Sequence, residues 1–555
     1  MNSKNLATRG KLLAGFVTLL FLGLSASAQS LTLAEVQTII AQAVSQAVAL
    51  NQKVTVSVTD NEGHLLGTFA MTDARDMTLV RSVGRAGQGL ENVMVPARDA
   101  AISKAGTAGL LSSGGNAFST RTASFIIQEH FPPGIDNTPG GPLYGVQFSS
   151  LLCSDIAISG LRLGLSADPG GVPIYKNGLA VGGVGVEGDG LYTADRNPRD
   201  LDQPYEEIIA VAATRGFDAP PTVRADNIFV GGLRFPFENI NVSQITAVQT
   251  IPFANLPGMP IDKIVAAPPS GFLPPVTLNG VQGVFSARNP NIIAGSALTA
   301  GEVTQILGAA AATAQIARAG IRQPIGSHAR VNMAVVDVDG TLLGEFSQID
   351  APVFGLDVAV QKARTVVFMS RNDAAAKLTA AGPGIASYVA RAAADNLPLN
   401  GTIAFSDRGF GFLHRPLFPD GINGTAAGPF STFLADWSPF NNGLQLDLVK
   451  GAIAMPMCNG PAREKRKFGL PNCPCTVIPE LPNGIQIFAG GVPIYRDGTL
   501  IGAVGVSGDG IDQDDLIAAA GANAFAPPEA IRSDHFFVRN VRLPFLKFPA
   551  RPFLP

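Results

Sequence analysis

Gly170-Gly171-Val172-Pro173-Ile174-Tyr175-Lys176-Asn177-Gly178, followed by Val181-Gly182-Gly183-Val184-Gly185-Val186-Glu187-Gly188-Asp189-Gly190, is a stretch that this chain carries twice. The second occurrence is Gly490-Gly491-Val492-Pro493-Ile494-Tyr495-Arg496-Asp497-Gly498, followed by Ile501-Gly502-Ala503-Val504-Gly505-Val506-Ser507-Gly508-Asp509-Gly510. A match of this length marks an internal duplication. The first copy reads as a β-hairpin. Gly171 to Tyr175 is a strand, Lys176-Asn177-Gly178 a turn, and Leu179 to Glu187 the return strand.

Working outward, other segments pair in the same order. Val56-Ser57-Val58-Thr59-Asp60 with Gly63 answers Ala334-Val335-Val336-Asp337 with Gly340. Ser103-Lys104-Ala105 answers Gln361-Lys362-Ala363, and Phe118-Ser119 with Arg121 answers Phe405-Ser406 with Arg408. Leu33 to Ala49 has the spacing of an amphipathic helix with Thr32 as N-cap. Val54 to Thr59 and Leu65 to Met71 form a hairpin, Pro96 to Leu111 is a second helix, and Gln203 to Arg215 closes the unit. In the second copy Asp512 to Ala522 takes the closing role, with acidic residues where the helix dipole favours them. The order helix, hairpin, helix, hairpin, helix predicts an α+β fold. It comprises two tandem domains, each a central antiparallel β-sheet flanked by helices. The expected boundaries are 29–240 for the first domain, 241–295 for a Pro-rich connection and 296–555 for the second domain. The second domain has an enlarged loop over 370–489. The connection carries apolar residues among its prolines and reads as a semi-extended strap on the domains, with an exposed Pro-rich linker as the alternative.

The chain's 555 residues are too many for one core, which agrees with two domains. Residues 1–28 have the layout of a secretory signal peptide: Lys4, Arg9 and Lys11, an apolar run from Leu12 to Leu24, then Ala26-Ser27-Ala28 before the cut. The run is short for a bilayer span, so the mature chain is expected to be periplasmic or secreted with no membrane segment after cleavage. The net charge of −3, with no basic stripe, argues against nucleic acid as a partner. Four cysteines, Cys153, Cys458, Cys473 and Cys475, suit an oxidising compartment. Cys458–Cys473 or Cys458–Cys475 would clip one loop, although four cysteines allow three pairings. A disulfide is preferred over a Cys-x-Cys metal site because no His lies close by in sequence.

The Val-Asp-x-x-Gly hairpin, the helix with Lys-Ala, Gly-Gly-Val-Pro-Ile-Tyr and Gly-Val-Ser-Gly-Asp together resemble the GlcG/HbpS-like family, also found as the C-terminal part of PduO proteins. The resemblance covers both halves, apart from the connection and the enlarged segments 112–169 and 370–489. It implies a compact domain with an antiparallel sheet between helices, a tendency to self-associate and, for extracellular members, haem as ligand. Other members sit with glycolate or propanediol metabolism. The tandem arrangement departs from the family and suggests that the two copies pack as an internal pseudo-dimer.

Candidate ligand contacts follow from residue chemistry. Lys104 and Lys362 occupy matched positions on apolar helices, suited to a haem propionate or a hydroxy-acid carboxylate, or else to snorkelling into solvent. Arg121 and Arg408 are matched within Phe-Ser-x-Arg and suit bidentate carboxylate recognition or a loop-ordering ion pair. His130 and His414, in comparable enlarged loops, are the haem axial candidates, set against ordinary hydrogen-bonded loop histidines. Covalent c-type haem is excluded by the lack of Cys-x-x-Cys-His. The acidic clusters Asp189, Asp195, Asp200, Asp202 and Asp509, Asp512, Asp514, Asp515 offer oxygen ligands for Ca²⁺ or iron, but capping and first-turn charge explain them more simply. The repeated glycines read as a packed hairpin and not as a dinucleotide motif.

The chain shows no GxSxG elbow, HExxH or P-loop, and no catalytic residue or metal ligand is assigned. The leading expectation is an exported, non-catalytic haem-binding or haem-sensing protein. The alternatives are an enzyme or carrier for a small hydroxy acid or aldehyde using Lys104 and Lys362, and a periplasmic scaffold that binds a partner.

Overall fold

The computed structural model describes residues 30–240, 242–246, 249–454 and 474–555. The expected signal peptide, Cys458 and Cys473 lie outside these residues. No helix among the described residues is long and apolar enough to cross a membrane.

The fold is α+β, with one antiparallel sheet in each half. The first sheet contains β1 (Thr55–Asp60), β2 (Leu65–Met71), β3 (Gly171–Lys176), β4 (Leu179–Glu187) and β5 (Gly258–Asp262) in the order β5-β2-β1-β4-β3. The second contains β6 (Val276–Leu278), β7 (Val281–Val284), β8 (Val331–Val336), β9 (Leu342–Gln348), β10 (Gly491–Arg496) and β11 (Thr499–Gly508) in the order β6-β7-β9-β8-β11-β10. The register repeats as well: Val56 pairs with Val186, and its counterpart Met333 pairs with Val506. Three strands come from the Pro-rich connection, so that segment is built into both sheets.

Each central sheet is covered on both faces. In the first half, α1 (Leu33–Ala49) and α4 (Tyr205–Ala213) cover one face, α2 (Ala97–Leu110) covers the other, and the short α3 (Thr120–Ile126) follows α2. Thr32 caps α1 in a full capping box with Glu35. Val184 and Val186 face α1 and α4 within the apolar core. The alternate positions Gly183 and Gly185 face α2, where a Cβ would collide with the Ala105 and Ala101 carbonyl oxygens. The repeated glycines thus bring a helix backbone against a sheet. The second half repeats this with α5 (Ala300–Ile316) and α11 (Asp512–Ala522) on one face and α6 (Phe354–Met369) on the other. Its enlarged loop adds α7 (Ala374–Ala380), α8 (Pro383–Ala394), α9 (Asp407–Phe412) and α10 (Leu444–Ala454), with a core of their own around Trp437 and Phe405.

The halves interlock through their enlarged segments. Phe354, Val358 and Phe488 enter the core of the first half, while Tyr144 enters the core of the second half's loop region. Arg364 makes two 2.8 Å bonds to Asp155 of the first half, and Asp357 accepts from the Ser150 N–H at 2.7 Å. Beside these contacts Cys153 is disulfide-bonded to Cys475, 322 residues away. This rules out Cys458–Cys475, one of the two loop-clipping pairings that the sequence left open. The bridge ties one half to the other, because the loop over 146–164 docks on the far half, a contact that local spacing does not reveal.

Candidate functional site

The matched lysines lie under the repeated hairpins, where α2 and α6 press on glycine-lined sheet faces. Lys104 is fully buried, with Nζ 2.6 Å from Glu206, 2.7 Å from Asp168 and 3.0 Å from Glu187. Burial alone lowers its pKa; the three carboxylates, Asp168 first, outweigh this and hold it well above the ordinary lysine value. Burial pushes Glu206 up to about 8, with Lys104 pulling the other way. The three carboxylates are close enough together to hold a metal ion, but the ammonium group sits among them. Lys362 is also fully buried. It donates to the Val506 carbonyl at 2.7 Å and to Asp514 at 3.0 Å, and its Nζ lies 4.4 Å from the centre of the Phe488 ring. Neither lysine reaches solvent or an open cavity. Their ammonium groups are committed to protein oxygens, which corrects both expectations placed on them.

The matched arginines share this chemistry but differ in exposure. Arg121 is buried and held by Glu207 and Asp195 at 2.7 Å and by Asp202 at 2.8 Å. Arg408 pairs with Asp515 and, at 2.7 Å, with Asp512, yet keeps 20% of its side chain exposed. The two acidic clusters following the hairpins are thus largely counter-ions. Asp195 and Asp202 serve Arg121, Asp514 serves Lys362, Asp512 and Asp515 serve Arg408, and Asp509 serves Arg322 at 2.8 Å. The adjacent acidic pairs Glu206-Glu207 and Asp514-Asp515, at matched places in both copies, were the signal for this pairing.

The histidines are placed differently from one another. His130 is buried, and its Nδ1 lies 2.7 Å from the Thr138 carbonyl oxygen. His414 is enclosed by the Phe410 and Phe430 rings, with Nδ1 3.0 Å from the Phe410 carbonyl oxygen and Nε2 without a partner. Burial pushes its pKa down to about 3, so the ring is neutral. The structure does not bring the two histidines into one site.

A cleft of about 650 Å³ opens between the halves, within the range of small-molecule and cofactor sites. Phe131, Phe412, Phe488 and Phe545 give it aromatic walls. Arg408, Arg415, Arg542 and Lys547 bring four cations to it, beside the carboxylates Asp420, Asp512 and Asp534. Of the matched lysines, arginines and histidines singled out from sequence, only Arg408 lines it, together with Asp512 of the second acidic cluster. The residues that sequence reasoning missed come from the first half's long loop, the second half's enlarged segment and the C-terminal stretch. A planar or elongated anion with an apolar body matches this lining. His, Cys, Met and Tyr are absent from the lining residues. His130, His414 and His535 each adjoin a lining residue along the chain, Phe131, Arg415 and Asp534 respectively, but none of them lines the cleft.

Residues 475–523, which contain the second Gly-Gly-Val-Pro block, match the family model described as haem degrading protein HbpS-like. No curated protein matches the chain. Among solved structures, Klebsiella pneumoniae protein ORFY is 22% identical, over 35% of this chain and 96% of that one, with a TM-score of 0.23. The PduOC:heme complex is 20% identical, over 34% and 97%, with a TM-score of 0.22. A double mutant of Streptomyces reticuli HbpS is 21% identical, over 39% and 98%, with a TM-score of 0.17. The likeness to the HbpS-like family model is confined to residues 475–523.

Proposed function

We propose that this chain is an exported haem-binding or haem-sensing protein that holds its ligand in the cleft between the halves and does no chemistry on it. The family match over 475–523 supplies the ligand class. The observation that carries the reading is the cleft itself, where aromatic walls and cations stand together. Haem is a flat apolar ring with two carboxylates, so Phe131, Phe412, Phe488 and Phe545 suit its faces and edges, and the cations suit its propionates. Haem supplies an iron centre to whatever site holds it. The lining includes no His, Cys, Met or Tyr to ligate that iron, so the fit rests on the porphyrin and its carboxylates. Signal-peptide cleavage and an oxidising compartment agree with a disulfide that ties the halves together.

The hydroxy-acid reading through the lysines loses its support, because both amines are buried in ion pairs and neither lines the cleft. The test is titration of the purified mature protein with haem, following the Soret band. Saturable binding with a shifted band is expected, and absence of saturation overturns the reading.

A further inference from the structure

The four cations of the cleft are not equivalent. Arg408 is bonded to Asp512 and Asp515. Arg542 is bonded to the Asp534 side chain at 3.2 Å and to its carbonyl oxygen at 2.6 Å. Lys547 lies 2.9 Å from Asp512. Each of these charges already has a carboxylate. Arg415 differs: its ion-pair partner Asp420 is 3.7 Å from Nε, close enough for charge pairing but beyond hydrogen-bond range. Its Nε and Nη1 are buried and donate to nothing among the described residues. A buried guanidinium N–H without an acceptor costs free energy that some acceptor must offset.

The surroundings fix the group in place. The guanidinium lies over the Tyr144 ring, 4.3 Å from its centre. Tyr144 is buried, and its hydroxyl accepts from Trp437 Nε1 at 2.7 Å. On the cleft side Nη1 rests against Gly140, where a Cβ would come within 2.8 Å. A stacked, immobilised guanidinium with uncommitted donors is a preorganised carboxylate receptor. Apolar rings near it, Phe131 and Phe412 among the cleft walls, leave room for a hydrophobic body beside that carboxylate.

We infer that Arg415 is the carboxylate anchor of the cleft, selecting apolar ligands that carry a carboxylate with or without iron. This rests on the proposal that the cleft is the ligand site. Two probes separate the anchor from haem binding: pyrenebutyrate and its methyl ester, followed by pyrene fluorescence on the full mature chain. The acid is expected to bind saturably, and the ester about ten- to hundredfold more weakly, the scale of a charge-assisted hydrogen bond. Arg415→Ala should weaken the acid by a similar factor and leave the ester unchanged. Arg415→Gln provides a second variant that keeps part of the side chain and its packing, with the same expectation. Equal affinity for acid and ester, an equal loss of both in the variants, an unchanged affinity for the acid, or no binding of the acid overturns the anchor. Haem binding that ignores Arg415 would overturn the anchor and leave the haem reading intact. Arg415-dependent pyrenebutyrate binding without haem binding would do the reverse.

Discussion

Asp168 and Phe488 stand at the same position of the two repeats, two residues before the first glycine of the hairpin block's Gly-Gly pair, and do opposite work. Asp168 lies 2.7 Å from Lys104 and helps to enclose it. Phe488 places its ring 4.4 Å from Lys362 and turns the residue towards the cleft wall. A further carboxylate of the first copy, Glu187, is Ser507 in the second. The first copy has therefore closed into a buried ion cluster, while the second has kept an open, aromatic side. On the proposed reading, this asymmetry predicts one ligand per chain.

The ion clusters should differ in their weight on stability. Lys104→Met leaves three carboxylates buried without a cation, a loss on the order of 3–5 kcal/mol. Lys362→Met leaves one direct carboxylate partner and should cost less. Urea unfolding of the two variants at neutral pH measures the order. The Lys104→Met deficit should shrink as the pH falls and the carboxylates take up protons. A larger loss in Lys362→Met would contradict this account.

The Cys153–Cys475 bridge closes a loop across both halves. In a chain-entropy model so long a loop contributes up to about 5 kcal/mol. Cys153→Ser should lower the unfolding midpoint and make the protein insensitive to reductant over the same range. Peptide mapping without reduction should recover Cys153 joined to Cys475. A Cys458–Cys475 peptide would refute the arrangement.

Much of the fold was legible because its signals are local. Alternation in Leu65–Met71 and Leu179–Glu187, and the acidic start of Asp512–Ala522, mark elements that the structure has with those same bounds. The matched order of segments then carried the duplication. The cleft was not legible, since Phe131, Arg415, Phe488 and Lys547 are brought together only when the halves interlock. Arg415 lacks a matched arginine, as Gln128 stands at the corresponding place before Phe-Pro, so comparing copies passed over it. The helices Ala374–Ala380 and Pro383–Ala394 lie in the enlarged loop, outside the repeat. The sheet-edge roles of the Pro-rich segment depend on partners far along the chain.

Glu345 gives a pH test. It is fully buried in β9, accepts one bond from Asn289 at 3.2 Å, and is pushed up to about 8 by burial. The folded state therefore keeps a proton that the unfolded chain releases near 4.5. Its contribution to stability is complete below the unfolded value and is lost as the pH rises towards about 8, by at most about 1.4 kcal/mol per unit. Glu345→Gln, which has no such proton to lose, should flatten that fall and be the more stable form at pH 8. Parallel stability curves for the two proteins would contradict the assignment.

The central claim is that one haem is held in the cleft bordered by Phe488. The most direct measurement is a Soret titration of the mature protein beside Phe488→Asp, which gives the second copy the carboxylate of the first. The account predicts saturation at one haem per chain, with binding lost or weakened at least about tenfold in a variant that still folds. Saturation at two haems, no saturation, or unchanged binding in Phe488→Asp would contradict it.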